Sequence, residues 1–273
     1  MPNYREAPGH NYSKMADFNI SPDHCLMEKD DRAAFQNGHA IEAILRGDYE
    51  KKYVTAEFTI PDDVYAAVQN GDDLEKMIRY NKDGSRNNQS KNKHAAIDFF
   101  LAHPGKKVIP EVERNVMRIM AKNLMKAEYE GVTVKRLLDS AKWNTPIFWG
   151  DKKAELDCYI ELKDEIILLD IKTAASFGQF HKMLKSRYWI QDQHYSEGCE
   201  AHFGKQCRKM AFLVATKEKP YLAQCFTIKD ESREYGRIAY LELCDKYRDW
   251  VAEGKPARGW LEAEEVKVFI NRR

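Results

Sequence analysis

Leu156-Asp157-Cys158-Tyr159-Ile160-Glu161-Leu162-Lys163-Asp164-Glu165-Ile166-Ile167-Leu168-Leu169-Asp170-Ile171-Lys172 is the stretch that decides the fold. Its first seven residues alternate, which marks a strand with two different faces. Lys163-Asp164 fits a tight hairpin loop. Ile166-Ile167-Leu168-Leu169 is an apolar run, as expected of a strand buried on both sides. Met210-Ala211-Phe212-Leu213-Val214-Ala215 reads as another buried strand, with a neighbour over 221–228 after Pro220. Helical periodicity surrounds these strands. Over 33–45 it places Phe35, Ala40, Ile41, Ile44 and Leu45 on roughly one side. Pro110 opens a second helix, with Glu111 and Glu113 in its first turn and Val112, Val116, Ile119, Met120 and Leu124 recurring. A helical stretch covers 176–200, and another covers 232–251 with Ile238, Leu241, Cys244 and Val251 repeating. The order predicts an α/β (α+β) fold with a mixed sheet flanked by helices.

Composition narrows the function. A formal charge of +1 excludes a uniformly basic binder, so any nucleic-acid surface must come from local segregation of charge. An apolar fraction of 43% is too high for a disordered chain. No apolar run reaches the roughly 18 residues a membrane span needs. The start, Met1-Pro2-Asn3-Tyr4-Arg5-Glu6, carries no apolar segment of the kind a secretory leader needs, so a cytoplasmic protein is expected. The six cysteines include no C-x-x-C pair, and free thiols are expected. One segment stands apart. Residues 79–94 carry Arg79, Lys82, Arg86, Lys91 and Lys93 against Asp83 alone, with an Asp83-Gly84 turn signal. It reads as an exposed basic loop, either a solvated insertion or a flexible arm on a phosphate backbone.

The chemistry sits at the ends of the central hairpin. Residues i and i+2 of a strand share a face, so the Asp170 carboxylate and the Lys172 ammonium point the same way, with Asp157 on the adjacent strand. Two carboxylates and an ammonium suit metal-dependent phosphodiester hydrolysis. The carboxylates hold Mg²⁺, and the lysine positions a water or neutralises developing charge. An acid-x-Lys pattern is common here, at Glu50, Asp151, Glu161, Asp170, Glu253 and Glu265, but only Asp170 follows a four-residue aliphatic run. A structural Asp–Lys ion pair at a strand end is the alternative from the residues alone.

Asp157…Asp170-Ile171-Lys172 resembles the PD-(D/E)XK nuclease motif, with Leu156 in place of the usual proline. Gln191-Asp192-Gln193-His194-Tyr195 resembles the Gln-x-x-x-Tyr motif of the exonuclease VIII (RecE-type) branch. Upstream, Gly38-His39-Ala40-Ile41-Glu42-Ala43-Ile44-Leu45 resembles that branch's Gly-x-Ala-x-His-x-Leu-Leu helix, with Glu42 at the histidine position. Asn11-Tyr12-Ser13-Lys14 is similar to its N-terminal Ser-Lys element, 93–126 to its linker helices, and Lys219-Pro220-Tyr221 to its late strand pair. Two features depart from the pattern: Asn144 or its neighbours stand where an acid is common, and Glu155 where a basic residue is common.

The resemblance implies a restriction-endonuclease-like core. It implies a 5′-to-3′ exodeoxyribonuclease on linear double-stranded DNA, leaving 3′ single-stranded tails for phage-type recombination. Catalytic residues would be Asp157, Asp170, Lys172, Gln191 and Tyr195. Metal ligands for Mg²⁺, which Mn²⁺ can replace, would be Glu42, Asp157, Asp170 and Ile171, with His39 and Glu155 as second candidates. Expected partners are DNA ends, a RecT-type annealing protein and further copies in a ring, with no membrane. The chain 1–273 would form a single exonuclease domain. Helical N-terminal and linker elements fill 1–140, with the basic loop at about 79–94. The nuclease core covers about 141–230, and a C-terminal helix and tail cover 231–273. Lys182, Lys185 and Arg187 lie between the lysine motif and Gln191, where they could contact the DNA backbone. Phe148, Trp149 and Trp189 are either core residues or base-stacking groups. The alternatives are a non-catalytic DNA-end-binding recombination scaffold and a single-strand-preferring or endonucleolytic nuclease of the same superfamily.

Overall fold

The computed structural model describes residue 4, residues 6–27 and residues 32–257. The side chain of Phe35 and the tail 258–273, both part of the sequence reading, lie outside the described residues. The chain runs α1 (Tyr12–Ile20), α2 (Pro22–Leu26), α3 (Arg32–Arg46), α4 (Tyr49–Lys52), β1 (Tyr53–Ala56), α5 (Asp62–Asn70) and α6 (Lys91–Ala102). It continues through β2 (Lys107–Pro110), α7 (Glu111–Lys126), β3 (Glu128–Tyr129), β4 (Val132–Thr133) and α8 (Val134–Asp139). Then come β5 (Lys142–Trp149), β6 (Lys152–Glu161), β7 (Glu165–Ala174), α9 (Phe177–Met183), a π-helical turn (Leu184–Tyr188) and α10 (Trp189–Phe203). β8 (Gln206–Thr216), β9 (Ala223–Phe226) and α11 (Asp230–Ala252) complete it. Among the described residues no helix is long and apolar enough to cross a membrane. All six cysteines are free thiols, with Cys158, Cys199, Cys207 and Cys244 buried.

The chain divides into two compact units. The first joins 1–31, 139–214 and 224–273. Its centre is the mixed sheet with strand order β5-β6-β7-β8-β9, flanked by helices as expected. Leu162 N–H donates to Glu165 O at 2.9 Å, leaving Lys163-Asp164 as the tight loop the sequence predicts. The first strand of the sheet, β5, carries no clean alternation and contains Pro146, which its edge position tolerates. One core gathers Ile147, Leu156, Ile166, Leu168, Phe180, Phe212 and Val214 between sheet and helices. A second packs α1 and α11 together through Met15, Phe18, Tyr240, Leu243, Tyr247 and Trp250.

The second unit covers 32–138 and 215–223. In it β1 and β2 pair in parallel from Tyr53↔Lys107 to Ala56↔Pro110. Val64, Ala96 and Ile97 form a small core with Ile60, Leu74 and Phe100.

Two helix faces differ from the sequence reading. On α11, Ile238 and Leu241 are exposed, and the buried stripe is Tyr240, Leu243, Cys244, Tyr247 and Trp250. The aromatic rings bury more area than the aliphatic side chains and set the rotation of the helix. On α7, Val112 and Ile119 are exposed while Met117, Met120, Ala121 and Leu124 are buried. The expected loop 79–94 ends as helix, because α6 begins at Lys91 and His94 is buried.

Helix α10 approaches β5 closely at Gly198. A Cβ built on Gly198 would meet Trp149 Cζ3 at 2.6 Å and Ile147 Cδ1 at 2.9 Å. Gly198→Ala is therefore expected to destabilise the protein by about 1–3 kcal/mol, measured by urea denaturation. The same helix carries His194, which is fully buried. Its Nε2 lies 3.1 Å from Lys153 O and its Nδ1 2.8 Å from the Tyr240 hydroxyl. Nε2–H donates to the Lys153 carbonyl, and burial, which disfavours the charged ring, keeps it neutral. Burial pushes its pKa from 6.5 down to about 3, and burial also lowers that of His10. Between those values the unfolded chain binds the proton and the fold does not. This contribution to stability is complete above pH 6.5 and is lost as pH falls towards 3. Thermal midpoints should fall across that window, and His194→Gln should flatten the fall.

Candidate active site

Asp157 stands where both of its neighbouring ladders lapse. Between β6 and β7 the paired residues run from Glu161↔Ile166 to Cys158↔Leu169. The next step of that register sets Asp157 opposite Asp170. The Ile171 N–H, beyond the last pair of this ladder, donates to Asp157 Oδ2 at 3.0 Å. Between β5 and β6 the pairs Trp143↔Cys158 and Thr145↔Leu156 bracket an unpaired step, at which Asn144 faces Asp157. Asn144 has φ +47°, the left-handed region that asparagine tolerates better than most residues. The distortion also breaks strand alternation. Leu156 and Tyr159, which strict alternation puts on opposite faces, join the same core. The sharing of a face by Glu155 and Asp157, expected from alternation, therefore loses its basis. Glu155 is exposed, and its main-chain oxygen takes the Tyr195 hydroxyl at 3.3 Å.

Asp170 is 2% exposed and held from two sides. The Lys172 ammonium contacts Oδ2, and Gln191 Nε2 donates to Oδ1 at 2.6 Å. Burial alone would lower the Lys172 pKa. The charge of Asp170, joined by Tyr12, Asp157 and Tyr188, outweighs burial and raises it above the usual lysine value. Lys172 is therefore an ammonium at neutral pH, and its Nζ lies 5.4 Å from the centre of the Tyr188 ring.

Two of these partners, Tyr188 and Tyr12, are not among the expected site residues. Tyr188 closes the π-helical turn between α9 and α10, which splits the single helix expected over 176–200. Tyr12 comes with the N-terminal segment. That segment is tied to β6 by His10 N–H to Asp151 O at 3.0 Å and Lys153 N–H to His10 O at 2.9 Å. Lys153 Nζ donates to Ala7 O at 2.6 Å, and the Tyr12 ring lies 5.5 Å edge-on to Tyr195. Burial pushes the Tyr195 hydroxyl well above its ordinary pKa, so it stays protonated. Asparagine at a left-handed position opposite Asp157 was the one sequence departure that turned out to mark a structural feature of the site.

The other candidates are placed as follows. Lys182 and Lys185 are exposed on α9 and the π-helical turn, and Arg187 faces Asp17 at 4.0 Å. Trp149 and Trp189 pack against the two cores of the first unit. Glu42 and His39 lie on α3 of the second unit. There Glu42 takes a 2.7 Å bond from Arg46 and has His39 at 3.6 Å.

Could this site hold a divalent cation? The donors available are carboxylate oxygens and main-chain carbonyls, which suit Mg²⁺ or Mn²⁺. Among the described residues no three His, Cys, Asp or Glu side chains gather as a metal cluster. A cation here would therefore draw only part of its shell from side chains, the habit of Mg²⁺, which keeps waters and takes phosphate oxygens. The residues fit on those terms.

No curated protein matches the chain. A solved structure from Eubacterium rectale, provisionally named an exonuclease, is similar with a TM-score of 0.47 and 13% identity, over 96% of this chain and 90% of that one. The family described as "PDDEXK-like domain of unknown function (DUF3799)" matches residues 13–259. That match takes in the Asp157, Asp170-Ile171-Lys172 and Gln191 constellation, and the chain belongs to this PDDEXK-like family of the PD-(D/E)XK superfamily.

Proposed function

We propose that this protein is a divalent-metal-dependent exodeoxyribonuclease that digests linear double-stranded DNA from the 5′ end. The observation that carries the hydrolytic reading is the placing of Asp157 opposite Asp170 just beyond the last pair of a ladder, with Lys172 and Gln191 both on Asp170. The exonucleolytic and 5′-to-3′ parts rest on the resemblance of Gln191 to Tyr195, and of the upstream helix, to the RecE-type branch. A RecT-type annealing partner and a ring of copies belong to the same reading.

In this mechanism Asp157, Asp170 and the Ile171 main chain would hold the cation. When bound, such an ion lowers the pKa of a coordinated water and offsets charge on the phosphate. Gln191 fixes the Asp170 carboxylate through Oδ1, while Lys172 contacts Oδ2. Lys172, beside the Asp170 carboxylate, is placed to neutralise charge developing on the phosphate. Tyr195 anchors α10 to the β6 backbone. Lys182 and Lys185 are exposed cations for backbone phosphates.

End-labelled linear duplex with Mg²⁺ or Mn²⁺ tests this. Wild type should release label from the 5′ end first, and EDTA should stop it. Asp170→Ala and Lys172→Met should each lower the rate by at least about 10²-fold. Equal digestion by wild type and Asp170→Ala, or no digestion with any divalent metal, would sink the mechanism. Asn144 offers a separate check by Mn²⁺ calorimetry. Asn144→Gly keeps the left-handed backbone and should bind as wild type. Asn144→Val, strained there by about 1–2 kcal/mol, should weaken binding about tenfold.

A further inference from the structure

Residues 79–87, in the second unit, are a built hairpin. Tyr80 and Arg86 form an antiparallel bridge. Asn81 N–H donates to Ser85 O at 2.7 Å, and Asn87 N–H to Arg79 O at 2.9 Å. The Asn81 amide donates to Ser85 Oγ at 3.0 Å. The Asp83 carboxylate accepts from the Ser85 N–H at 2.9 Å and its hydroxyl at 2.6 Å. Two ties hold the base to α6. The Arg79 N–H donates to Nε2 of buried His94 at 3.1 Å, and Arg86 pairs with Asp98 at 2.6 Å.

The asparagine, serine and aspartate that made this segment look merely solvated are thus used to build it. Left exposed are Arg79, Lys82 and Lys91, together with Tyr80 at 59%. A single exposed ring needs no explanation. An exposed ring among exposed cations, on a turn already ordered by its own hydrogen bonds, is a different matter. Flat base faces stack on such rings, and phosphates neutralise such cations. A prebuilt turn also loses little conformational freedom on binding.

We infer that this hairpin holds an unpaired DNA strand, with Tyr80 stacked on a base and Arg79, Lys82 and Lys91 on the phosphates. The choice of DNA rests on the nuclease reading above, and the choice of an unpaired strand rests on the exposed ring.

The test is fluorescence anisotropy of the full chain in EDTA, where metal-dependent cleavage is off. The probes are a labelled oligothymidylate and a blunt duplex, over a range of salt. Tyr80→Ser should weaken oligothymidylate binding about tenfold and leave the duplex within about twofold, while Tyr80→Phe should bind as wild type. The triple variant Arg79→Ser, Lys82→Ser, Lys91→Ser should lower the slope of log affinity on log salt by about 2, at about 0.7 per phosphate contact. The Arg79, Lys82 and Lys91 side chains make none of the hydrogen bonds named above, the Tyr80 hydroxyl bonds the Arg86 guanidinium, and unchanged thermal midpoints would verify the fold of each variant. Wild-type affinity in both variants overturns the proposal. So does equal weakening of both probes by Tyr80→Ser, which would deny any preference for unpaired bases. Cleavage by wild type is scored separately with metal. Hairpin-dependent binding without cleavage would support the contact and sink the nuclease reading, and cleavage with hairpin-independent binding would do the reverse.

Discussion

Burying the Asp170 carboxylate is the constraint on which the rest of the first unit depends. A carboxylate at 2% exposure is costly unless a countercharge and hydrogen bonds replace its water. Lys172 supplies the charge from the same strand, two residues on. The hydrogen bond comes from Gln191, on a helix that must therefore pack directly over the strand. The close approach of α10 to β5 at Gly198 follows the same demand.

Helix α10 is unusual in being buried on nearly all sides while rich in polar residues. It is tolerated because most of its polar side chains find partners, although Gln191 Oε1 is buried without one. Asp192 meets Arg233 at 2.8 Å, and Ser196 accepts from the same guanidinium at 2.9 Å. His194 spans Tyr240 and Lys153, and Tyr195 reaches Glu155. Those partners lie on α11 and β6, so the polar contacts of one helix also fix its neighbours. Burial raises the Asp192 pKa, and the Arg233 charge works against that rise.

The hairpin β6–β7, its two-residue loop and the acid-x-Lys end were legible because each depends on periods of two and on local turn chemistry. Strand β5 was not legible, since Lys142-Trp143-Asn144-Thr145-Pro146 follows no alternation and includes a left-handed residue. The faces of α7 and α11 were misjudged for another reason. Both helices offer more than one apolar stripe, and the packing partner chooses between them. For α11 that partner is α1 with Phe18 and Met15, and Tyr247 and Trp250 fill the space against it.

What the sequence determined by itself was the set of reacting types and their order along the chain: Asp157, Asp170, Lys172 and Gln191 on strand and helix periods. What only the tertiary structure decided was how those groups are held. The gap in pairing opposite Asn144, the Tyr188 ring beside Lys172 and the tie that brings Tyr12 to the site all join residues distant in sequence. Periodicity reports which way a side chain leaves its own element. It carries no information about which distant backbone lacks a partner, and that is what freed Asp157 from its strand.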